Sequence, residues 1–327
     1  MHIDDRFTRP HKAAAIRKLH EAELTDRREL SSERFPNATV LPLIKFDEDK
    51  ESLLFGRGAV IDEQGRYAEC SGIPGRVGGF YEHETPSLTE EKVVFCGYLA
   101  RGWGHFLIES ITRLWYALSH EGDADRYVFV TGENGGTAIE GNFRIFLELF
   151  GILDRTVLLD RPARFREVIV PERAYVSGAY TSEAYNEILD KVLSALPEDG
   201  SVKPGVKLFL SRAHLYDKKH FYGRKRSRER GLDMLDDFFS RNGFTILYPE
   251  RVDLITQLKL MRNAALIASE SGSCAHNMLL APRGAKTLIM ERQALPNRFQ
   301  AEIDRVRDLD TCYVDAYYAL YPTADFG

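Results

Sequence analysis

Three charged residues of the segment 102–115 are spaced so that they share one face of a helix. His105, Glu109 and Arg113 follow one another at intervals of four residues, after a short Gly-containing loop. A histidine one turn from a carboxylate can be held in one tautomer and can act as a general base near neutral pH. The same spacing is typical of an ordinary charge ladder on a helix surface, so it leaves both interpretations open.

A run of basic residues follows the apolar segment 206–210. Guanidinium groups at the end of a strand suit the charges of a diphosphate, which arginine can bind with two parallel hydrogen bonds. We expect two or three of these side chains to contact a ligand and the others to be solvated. RNA binding is an alternative, but the net charge of −5 gives it little support. The cations are Arg212, Lys218, Lys219, Arg224, Lys225, Arg226, Arg228 and Arg230.

Small and polar residues form a third candidate segment, 268–277, between a strand pattern and a helical pattern. Gly272 and Ser273 would let a ligand approach the main chain, and the helix beginning there would offer free N–H groups to an anion. Glu270 could accept hydrogen bonds from ribose hydroxyls. A tight strand-to-helix turn without a ligand would also use glycine and serine, so that interpretation stays open.

Alternating strand and helix patterns position these three segments. The alternation predicts parallel sheets flanked by helices, with hairpins in the less regular first 90 residues. Apolar runs predict strands covered on both faces at 39–44, 93–96, 127–131, 156–160, 168–170, 206–210, 244–248, 265–269 and 286–290. Helical patterns lie at 105–119, 139–150, 182–195, 232–241, 253–262 and 273–280.

The segment 196–205, rich in Pro, Gly and charge, is the predicted domain linker. It separates an N-terminal α/β domain, 1–200, with an irregular β-rich start, from a C-terminal Rossmann-like domain, 201–327. We expect the last helix to pack back on the first domain. Ligands of doubly wound folds bind beyond the carboxyl ends of the strands, where the second and third segments should lie.

Length and composition limit the class of protein. The chain has 327 residues, of which 44% are hydrophobic and 28% charged, as in a soluble two-domain enzyme. A charged N-terminus without a secretory signal, and the lack of an apolar run of about 18 residues, predict a cytoplasmic protein. Four cysteines without a CxxC pair predict free thiols. Asp123-Ala124-Asp125 is interpreted as a polar loop, so no metal site is predicted.

In combination, these residues resemble glycosyltransferase family 61. The resemblance extends over residues 90–295. Ser271 stands where the family has a histidine, and the asparagine that usually follows its arginine pair is missing near 228–231, so the chain resembles a divergent bacterial-type branch. The matching residues are Gly104-His105-Phe106, Glu109, Arg113-Leu114, Leu210-Ser211-Arg212, 224–230, Gly243-Phe244, Gln257, 270–277, Pro282-Arg283-Gly284 and the strand pattern 286–291.

The resemblance implies a GT-B architecture, in which two Rossmann-like domains face each other across a cleft. It implies an inverting, metal-independent hexosyl- or pentosyltransferase without a cofactor. Its partners would be a nucleotide-sugar and the glycan acceptor of a capsule, lipopolysaccharide or other polysaccharide, and no nucleic acid. A lipid-linked acceptor would bring the enzyme to a membrane surface.

The resemblance also implies roles for individual residues. His105 or Glu109 would be the catalytic base, with Trp103 and Arg113 on the acceptor side of the cleft. The donor would be bound by Arg212, Arg226, Arg228, Glu270, Gly272, Ser273 and Asn277.

Two other functions fit the same pattern. A polysaccharide pyruvyltransferase would share the architecture and consume phosphoenolpyruvate instead of a nucleotide-sugar. A catalytically silent scaffold could have kept the fold, because Ser271 replaces the family's histidine. Such a scaffold would bind a nucleotide without hydrolysing the donor.

Overall fold

The chain forms two compact units in a computed structural model. The composite unit consists of Met1–Leu24 and Leu189–Gly327, and the central unit consists of Thr25–Ile188. The residues that the structure describes are 1–4, 6, 8–22, 24–27, 29–45, 56–73, 78–131, 138–198, 200–214, 232–292 and 296–316.

The strands of the described residues are numbered in chain order. They are β1 (His2–Ile3), β2 (Thr25–Asp26), β3 (Ser32–Lys45), β4 (Gly56–Ile61), β5 (Leu88–Tyr98), β6 (Arg126–Val130), β7 (Thr156–Leu159), β8 (Ala163–Pro171), β9 (Tyr175–Val176), β10 (Tyr180–Thr181), β11 (Val206–Leu210), β12 (Phe244–Leu247), β13 (Ala264–Glu270), β14 (Lys286–Glu291) and β15 (Asp310–Asp315).

The helices of the same residues include short 3₁₀ and π turns. The α-helices are α1 (Pro10–Glu21), α2 (Trp103–His105), α3 (Trp115–Ser119), α4 (Gly141–Phe150), α5 (Glu183–Ser194), α6 (Leu232–Arg241), α7 (Leu254–Arg262) and α8 (Arg298–Val306). The 3₁₀ turns are Glu69–Ser71, Ile111–Arg113, Leu153–Arg155 and Ala275–Leu280, and Phe106–Ser110 is a π-helical turn.

The central unit contains a mixed six-stranded sheet in the order β4-β3-β8-β5-β6-β7. β3 is antiparallel to both β4 and β8, whereas β8, β5, β6 and β7 run parallel to one another. The expected hairpin is therefore present as β3–β4, but the expectation of parallel pairing is wrong for the pairing of β3 with β8. Both strands are apolar because both faces are covered, and that pattern does not encode the direction of the neighbouring strand. A small sheet, β2-β10-β9, belongs to the same unit.

The composite unit is built on a six-stranded sheet that is parallel throughout, in the order β1-β15-β14-β13-β11-β12. Phe209, Phe239, Ala268 and Met290 form a buried cluster on this sheet. The ring of Phe239 on α6 stacks on that of Phe209 on β11 with centroids 4.1 Å apart. Parallel strands bring their carboxyl ends to one edge, so the residues that follow β11, β13 and β14 lie together.

All nine predicted strands are present, and α6 begins and ends where the helical pattern places it. The N-terminal helix α1 and the pair α8–β15 were not predicted. Their apolar pattern is weak because they bury charged side chains, among them Lys12 and Asp315. No helix in the described part of the chain is both long and apolar enough to cross a membrane.

A buried polar network joins α1, α8 and β15 in the composite unit. The Asp304 carboxylate accepts a hydrogen bond from the Tyr313 hydroxyl at 2.6 Å and another from Gln300 Nε2 at 3.0 Å. His20 Nε2 lies 3.6 Å from the same carboxylate. Burial raises the pKa of Asp304 to about 7, although hydrogen bonds from Tyr313, Gln300 and Thr311 oppose the rise. Burial lowers the pKa of His20 to about 4.

The raised pKa of Asp304 predicts a pH-dependent stability difference for the substitution Asp304→Asn. Because the native pKa lies above the ordinary value, the contribution of Asp304 is fully present below about pH 4 and is lost as the pH rises through 7. Relative to wild type, the variant should gain up to about 1.4 kcal/mol of unfolding free energy per pH unit in that window. Urea unfolding followed by circular dichroism at several pH values measures the gain.

The exposed Asp310 provides the control. Asp310→Asn, measured in the same way, shows how the loss of an exposed carboxylate of β15 changes the free energy of unfolding. An Asp304→Asn difference from wild type that does not change with pH would contradict the assignment.

Candidate functional site

His105 and Glu109 follow the carboxyl end of β5 in the central unit. Nδ1 of His105 lies 3.5 Å from Oε2 of Glu109, which is longer than an ordinary hydrogen bond. The His105 side chain is 45% exposed and that of Glu109 only 13%. An accessible imidazole backed by an enclosed carboxylate can accept a proton from a bound hydroxyl, because the carboxylate stabilises the imidazolium that forms.

The helical stretch that carries this pair is not the continuous α-helix that the spacing predicts. The short helix α2 is followed by the π turn Phe106–Ser110, then by the 3₁₀ turn Ile111–Arg113, and only then by α3. The i, i+4 contact between His105 and Glu109 survives this change. Single π turns within helices frequently occur at functional sites, since they redirect side chains locally.

Tertiary hydrogen bonds hold the π turn in place. The Ser110 hydroxyl donates to the Tyr98 carbonyl at 2.8 Å and accepts from the Ala100 amide at 3.0 Å. The Tyr185 hydroxyl donates to the Leu107 carbonyl at 2.7 Å. These bonds connect the turn to the end of β5 and to α5, which explains why a local helical pattern did not reveal it.

Trp103 anchors an aromatic cluster beside His105. Its indole stacks on Phe106 with centroids 5.2 Å apart and contacts Phe143 and Phe146 of α4 at 6.0 and 6.3 Å. Trp103 is half-buried, whereas Phe106 and Phe146 are fully buried. The cluster therefore fixes the start of the helical stretch and with it the backbone of His105.

Arg113 does not share the exposure of His105. It is 1% exposed, its Nε donates to the Pro171 carbonyl at 2.9 Å, and its Nη2 donates to the Cys70 carbonyl at 2.7 Å. Burial lowers the pKa of Arg113 to about 9, and the positive charge of Arg173 adds to the fall. As placed, Arg113 ties the helical stretch to two neighbouring segments of the central unit.

In the composite unit, three charged residues lie at the carboxyl ends of neighbouring strands. Arg212 lies two residues beyond β11, and Glu270 and Glu291 are the last residues of β13 and β14. Their side chains are buried, each being at most 5% exposed. The structure thus brings Arg212 together with the segment 270–277, although Arg212 and Glu270 are 58 positions apart in the sequence.

The main chain at Gly272 is flanked by two guanidinium groups. Its φ of +120° is a backbone conformation that residues other than glycine rarely adopt. A Cβ at this position would lie 3.5 Å from Nη1 of Arg212 and 3.6 Å from Nη2 of Arg292. An anion that approached Gly272 would therefore meet two guanidinium groups, and no side chain at position 272 would stand in its way.

The residues after Gly272 form a braced turn. Ser273 is exposed, and Asn277 is buried and donates through Nδ2 to the Cys274 carbonyl at 2.8 Å. The helical pattern predicted over 273–280 is present as a 3₁₀ helix, Ala275–Leu280.

Ser271 stands at the position of the family's histidine, and His276 follows five positions later in the sequence. Ser271 is 1% exposed, and its main-chain amide donates to the Met290 carbonyl at 2.9 Å. His276 is 5% exposed and packs edge-on against Phe299 with centroids 5.8 Å apart. Ser271 and His276 are thus enclosed in the composite unit.

Arg292, Glu291 and Lys12 were missed by the sequence interpretation. Arg292 Nε donates to the Ser271 carbonyl at 3.1 Å. Burial raises the pKa of Glu291, and the nearby Ser271 hydroxyl and Lys12 ammonium oppose the rise, although the hydroxyl does not meet hydrogen-bond geometry. A charged pair directly after the apolar run 286–290 was the signal that could have identified Glu291 and Arg292.

Two predicted donor-binding residues, Arg226 and Arg228, lie outside the described residues, as do the other cations of 218–230. Within the described residues, no group of three or more His, Cys, Asp or Glu side chains is placed to hold a metal ion. The described cysteines are not paired in disulfides.

Comparison with known proteins adds one match. Residues 103–288 match the sequence profile of the family described as Glycosyltransferase 61, a span of more than half of the chain. It contains His105, Glu109, Arg212 and the turn at Gly272, and it lies within the range of the resemblance noted above. No curated protein matches the chain.

The buried guanidinium of Arg113 predicts a large stability loss for Gly97→Ala. Gly97 has a φ of +101°, and a Cβ there would lie 3.1 Å from Nη1 of Arg113. We expect the free energy of unfolding to fall by about 3 kcal/mol, because backbone strain costs about 1–2 kcal/mol and displacing a hydrogen-bonded buried group costs about as much again. Both tryptophans, Trp103 and Trp115, lie in the central unit, so their fluorescence during urea unfolding reports on it.

Gly122→Ala is the matched control for strain alone. Gly122 has a φ of +81°, and nothing lies within 4 Å of its Cβ position. Gly122→Ala should lower the free energy of unfolding by about 1–2 kcal/mol, which is the cost of backbone strain alone. Equal losses in the two variants would show that Arg113 yields without cost.

Proposed function

Because the chain belongs to glycosyltransferase family 61, we propose that it transfers a sugar from a nucleotide-sugar to a polysaccharide acceptor, with inversion and without a metal. The supporting observation is the approach of Arg212 Nη1 to within 3.5 Å of the Cβ position of Gly272. It joins two parts of the family pattern at the carboxyl edge of a parallel sheet, which is where α/β folds bind nucleotides.

The donor is held by the composite unit in this proposal. Arg212 offsets the charge of the diphosphate, and Gly272 allows the phosphate to approach the main chain. Glu270, at the end of β13, accepts hydrogen bonds from the ribose hydroxyls. Arg226 and Arg228 complete the cationic environment, and Asn277 keeps the turn in shape through its bond to Cys274.

The acceptor is activated by the central unit. His105 is the base, because its imidazole is accessible and histidine's ordinary pKa lies near neutrality. Glu109 supports the imidazolium from 3.5 Å away. Trp103 offers an apolar surface next to the base. Arg113, which is enclosed, contributes by fixing the helical stretch.

The reaction is a single displacement. The acceptor hydroxyl oxygen attacks the anomeric carbon, and its proton passes to Nε2 of His105, because Nδ1 is buried and faces Glu109. The bond from the anomeric carbon to the phosphate oxygen breaks, and its electron pair leaves with the nucleoside diphosphate. The guanidinium groups stabilise this developing charge, a task that a metal ion performs in other transferases. The two-domain GT-B architecture that the resemblance implies is part of the same proposal.

Nucleotide binding is the first prediction of this function. UDP, GDP, CDP, CMP and their sugars are tested by thermal shift with and without EDTA, and one nucleotide class should raise the unfolding midpoint by mass action. The shift should be unchanged by EDTA. Arg212→Gln should reduce it, whereas Arg166→Gln, at an exposed position of β8, should not.

Each competing function has a distinct outcome when the thermal shift is combined with a measurement of substrate consumption. Consumption of phosphoenolpyruvate in place of a nucleotide-sugar indicates a pyruvyltransferase. Nucleotide binding without consumption of a nucleotide-sugar, whichever acceptor is supplied, indicates a silent scaffold. A shift that EDTA abolishes contradicts the metal-independent mechanism.

Loss of the base is the second prediction. His105→Ala should lower kcat/KM by at least about 100-fold, which is the smallest usual contribution of a general base. The nucleotide-dependent thermal shift should be retained, because His105 lies in the other unit from Arg212. Glu109→Gln should lower the rate less than His105→Ala if the carboxylate only supports the imidazolium.

His120→Ala is the control, since His120 is exposed near the end of α3 in the same unit. It should leave the rate unchanged. Full activity in His105→Ala would remove the base assignment, and a greater loss in Glu109→Gln would transfer it to Glu109.

A further inference from the structure

Arg292 approaches the Gly272 turn from a different strand than Arg212 does. Arg212 follows β11 and Arg292 follows β14, and β13, which leads into the turn, lies between them in the sheet. Their terminal nitrogens, Nη1 and Nη2, lie 3.5 and 3.6 Å from the Cβ position of Gly272. The two cations are thus within about 7 Å of each other, since each is within van der Waals distance of the same point.

The position of Arg292 is fixed by the turn itself. Its Nε donates to the Ser271 carbonyl at 3.1 Å, while the Ser271 amide donates to the Met290 carbonyl at 2.9 Å. These two bonds close a loop between the end of β14 and the turn. Nη2 of the same guanidinium lies 3.6 Å from the Cβ position of Gly272. The bond from Nε to Ser271 therefore also fixes the part of the group that approaches the turn.

The chain's N-terminal helix holds the end of β14 in turn. Lys12 of α1 is fully buried, and its ammonium donates to Oδ1 of Asp315 at 2.9 Å and to the carbonyl of Glu291 at 3.5 Å. Arg9 Nε donates to Oδ2 of Asp315 at 2.6 Å. Residues from both ends of the chain therefore fix the main chain that immediately precedes Arg292.

The groups around the turn differ in exposure. Glu270, Glu291 and Arg212 are buried, whereas Gly272 and Arg292 are partly exposed. An anion placed between the two guanidinium groups would be attracted by both of them. A ligand with two adjacent phosphate groups offers one group to each guanidinium.

We propose that Arg292 is a second diphosphate-binding residue, which faces Arg212 across Gly272 and contacts the leaving group of the donor. The assignment rests on the proposed function for its substrate class, a nucleoside diphosphate sugar. Arg292 lies outside the residues 103–288 that match the family profile. Together with Lys12 and Asp315, it makes the two ends of the chain part of the donor site.

Inorganic pyrophosphate tests this assignment without knowledge of the nucleotide or the sugar. Its affinity for the full-length protein is measured by isothermal titration calorimetry in the presence of EDTA, with orthophosphate for comparison. Arg292→Gln should weaken pyrophosphate binding at least about tenfold, the effect of losing one charge-assisted hydrogen-bonded contact. Arg292→Lys should recover part of the affinity, because the charge remains while the fork is lost.

Arg298→Gln is the matched control. Arg298 carries a side chain that is 57% exposed and pairs with Glu302 on α8. It should bind pyrophosphate as wild type does. The midpoint of thermal unfolding without ligand, measured for both variants, should change by the same small amount, so that a fold defect is recognised.

The outcomes separate this assignment from the proposed function. If wild type transfers a sugar but Arg292→Gln keeps both its pyrophosphate affinity and its KM for the donor, the Arg292 assignment is overturned and the function stands. If no nucleotide-sugar is consumed but Arg292→Gln loses pyrophosphate affinity, the anion site stands and the function fails. A wild-type protein that does not bind pyrophosphate overturns the assignment.

Discussion

The composite unit depends on the balance of buried charges at the carboxyl edge of its parallel sheet. A charge that leaves water loses several kcal/mol of solvation, and an opposite charge close by must offset that loss. Glu270, Glu291 and Asp315 end three neighbouring strands, and Lys12, Arg212 and Arg292 lie among them. Because the sheet is parallel throughout, all these groups come to a single edge. Lys12 is part of this balance, since it contacts Asp315 although the two residues are 303 positions apart in the sequence.

The central unit holds its buried charge differently. Arg113 contacts the carbonyls of Cys70 and Pro171, and burial lowers its pKa to about 9. The two carbonyls accept hydrogen bonds from Nε and Nη2 but compensate the charge of the guanidinium less than a carboxylate does. The same helical stretch leaves His105 accessible. An enclosed anchor and an accessible imidazole thus belong to one short helical stretch, which is what a general base needs in order to meet a substrate in one geometry.

Much of the fold could be predicted from the sequence, and the reasons are local. Apolar runs such as 206–210 and 264–270 have no polar alternation, and only strands covered on both faces explain that pattern. The helix α6 has a clear apolar face and matches its prediction end to end. The 3₁₀ helix Ala275–Leu280 and the π turn Phe106–Ser110 could not be predicted. Their hydrogen-bond periods depend on what the surrounding segments impose, such as the Ser110 and Tyr185 bonds.

The sequence by itself determined the family, the α/β class and the residue types of the candidate site. The sequence was sufficient to select His105, Glu109, Arg212 and Gly272. Their selection depended on residue type and on spacing within short segments, and both can be read from the sequence without the fold. Only the tertiary structure decided that Arg212 and Arg292 both approach Gly272 and that Arg113 is enclosed. Whether a charged side chain is buried or exposed depends on the strands that pair beside it, and strand order in a sheet is set by contacts between residues far apart in sequence.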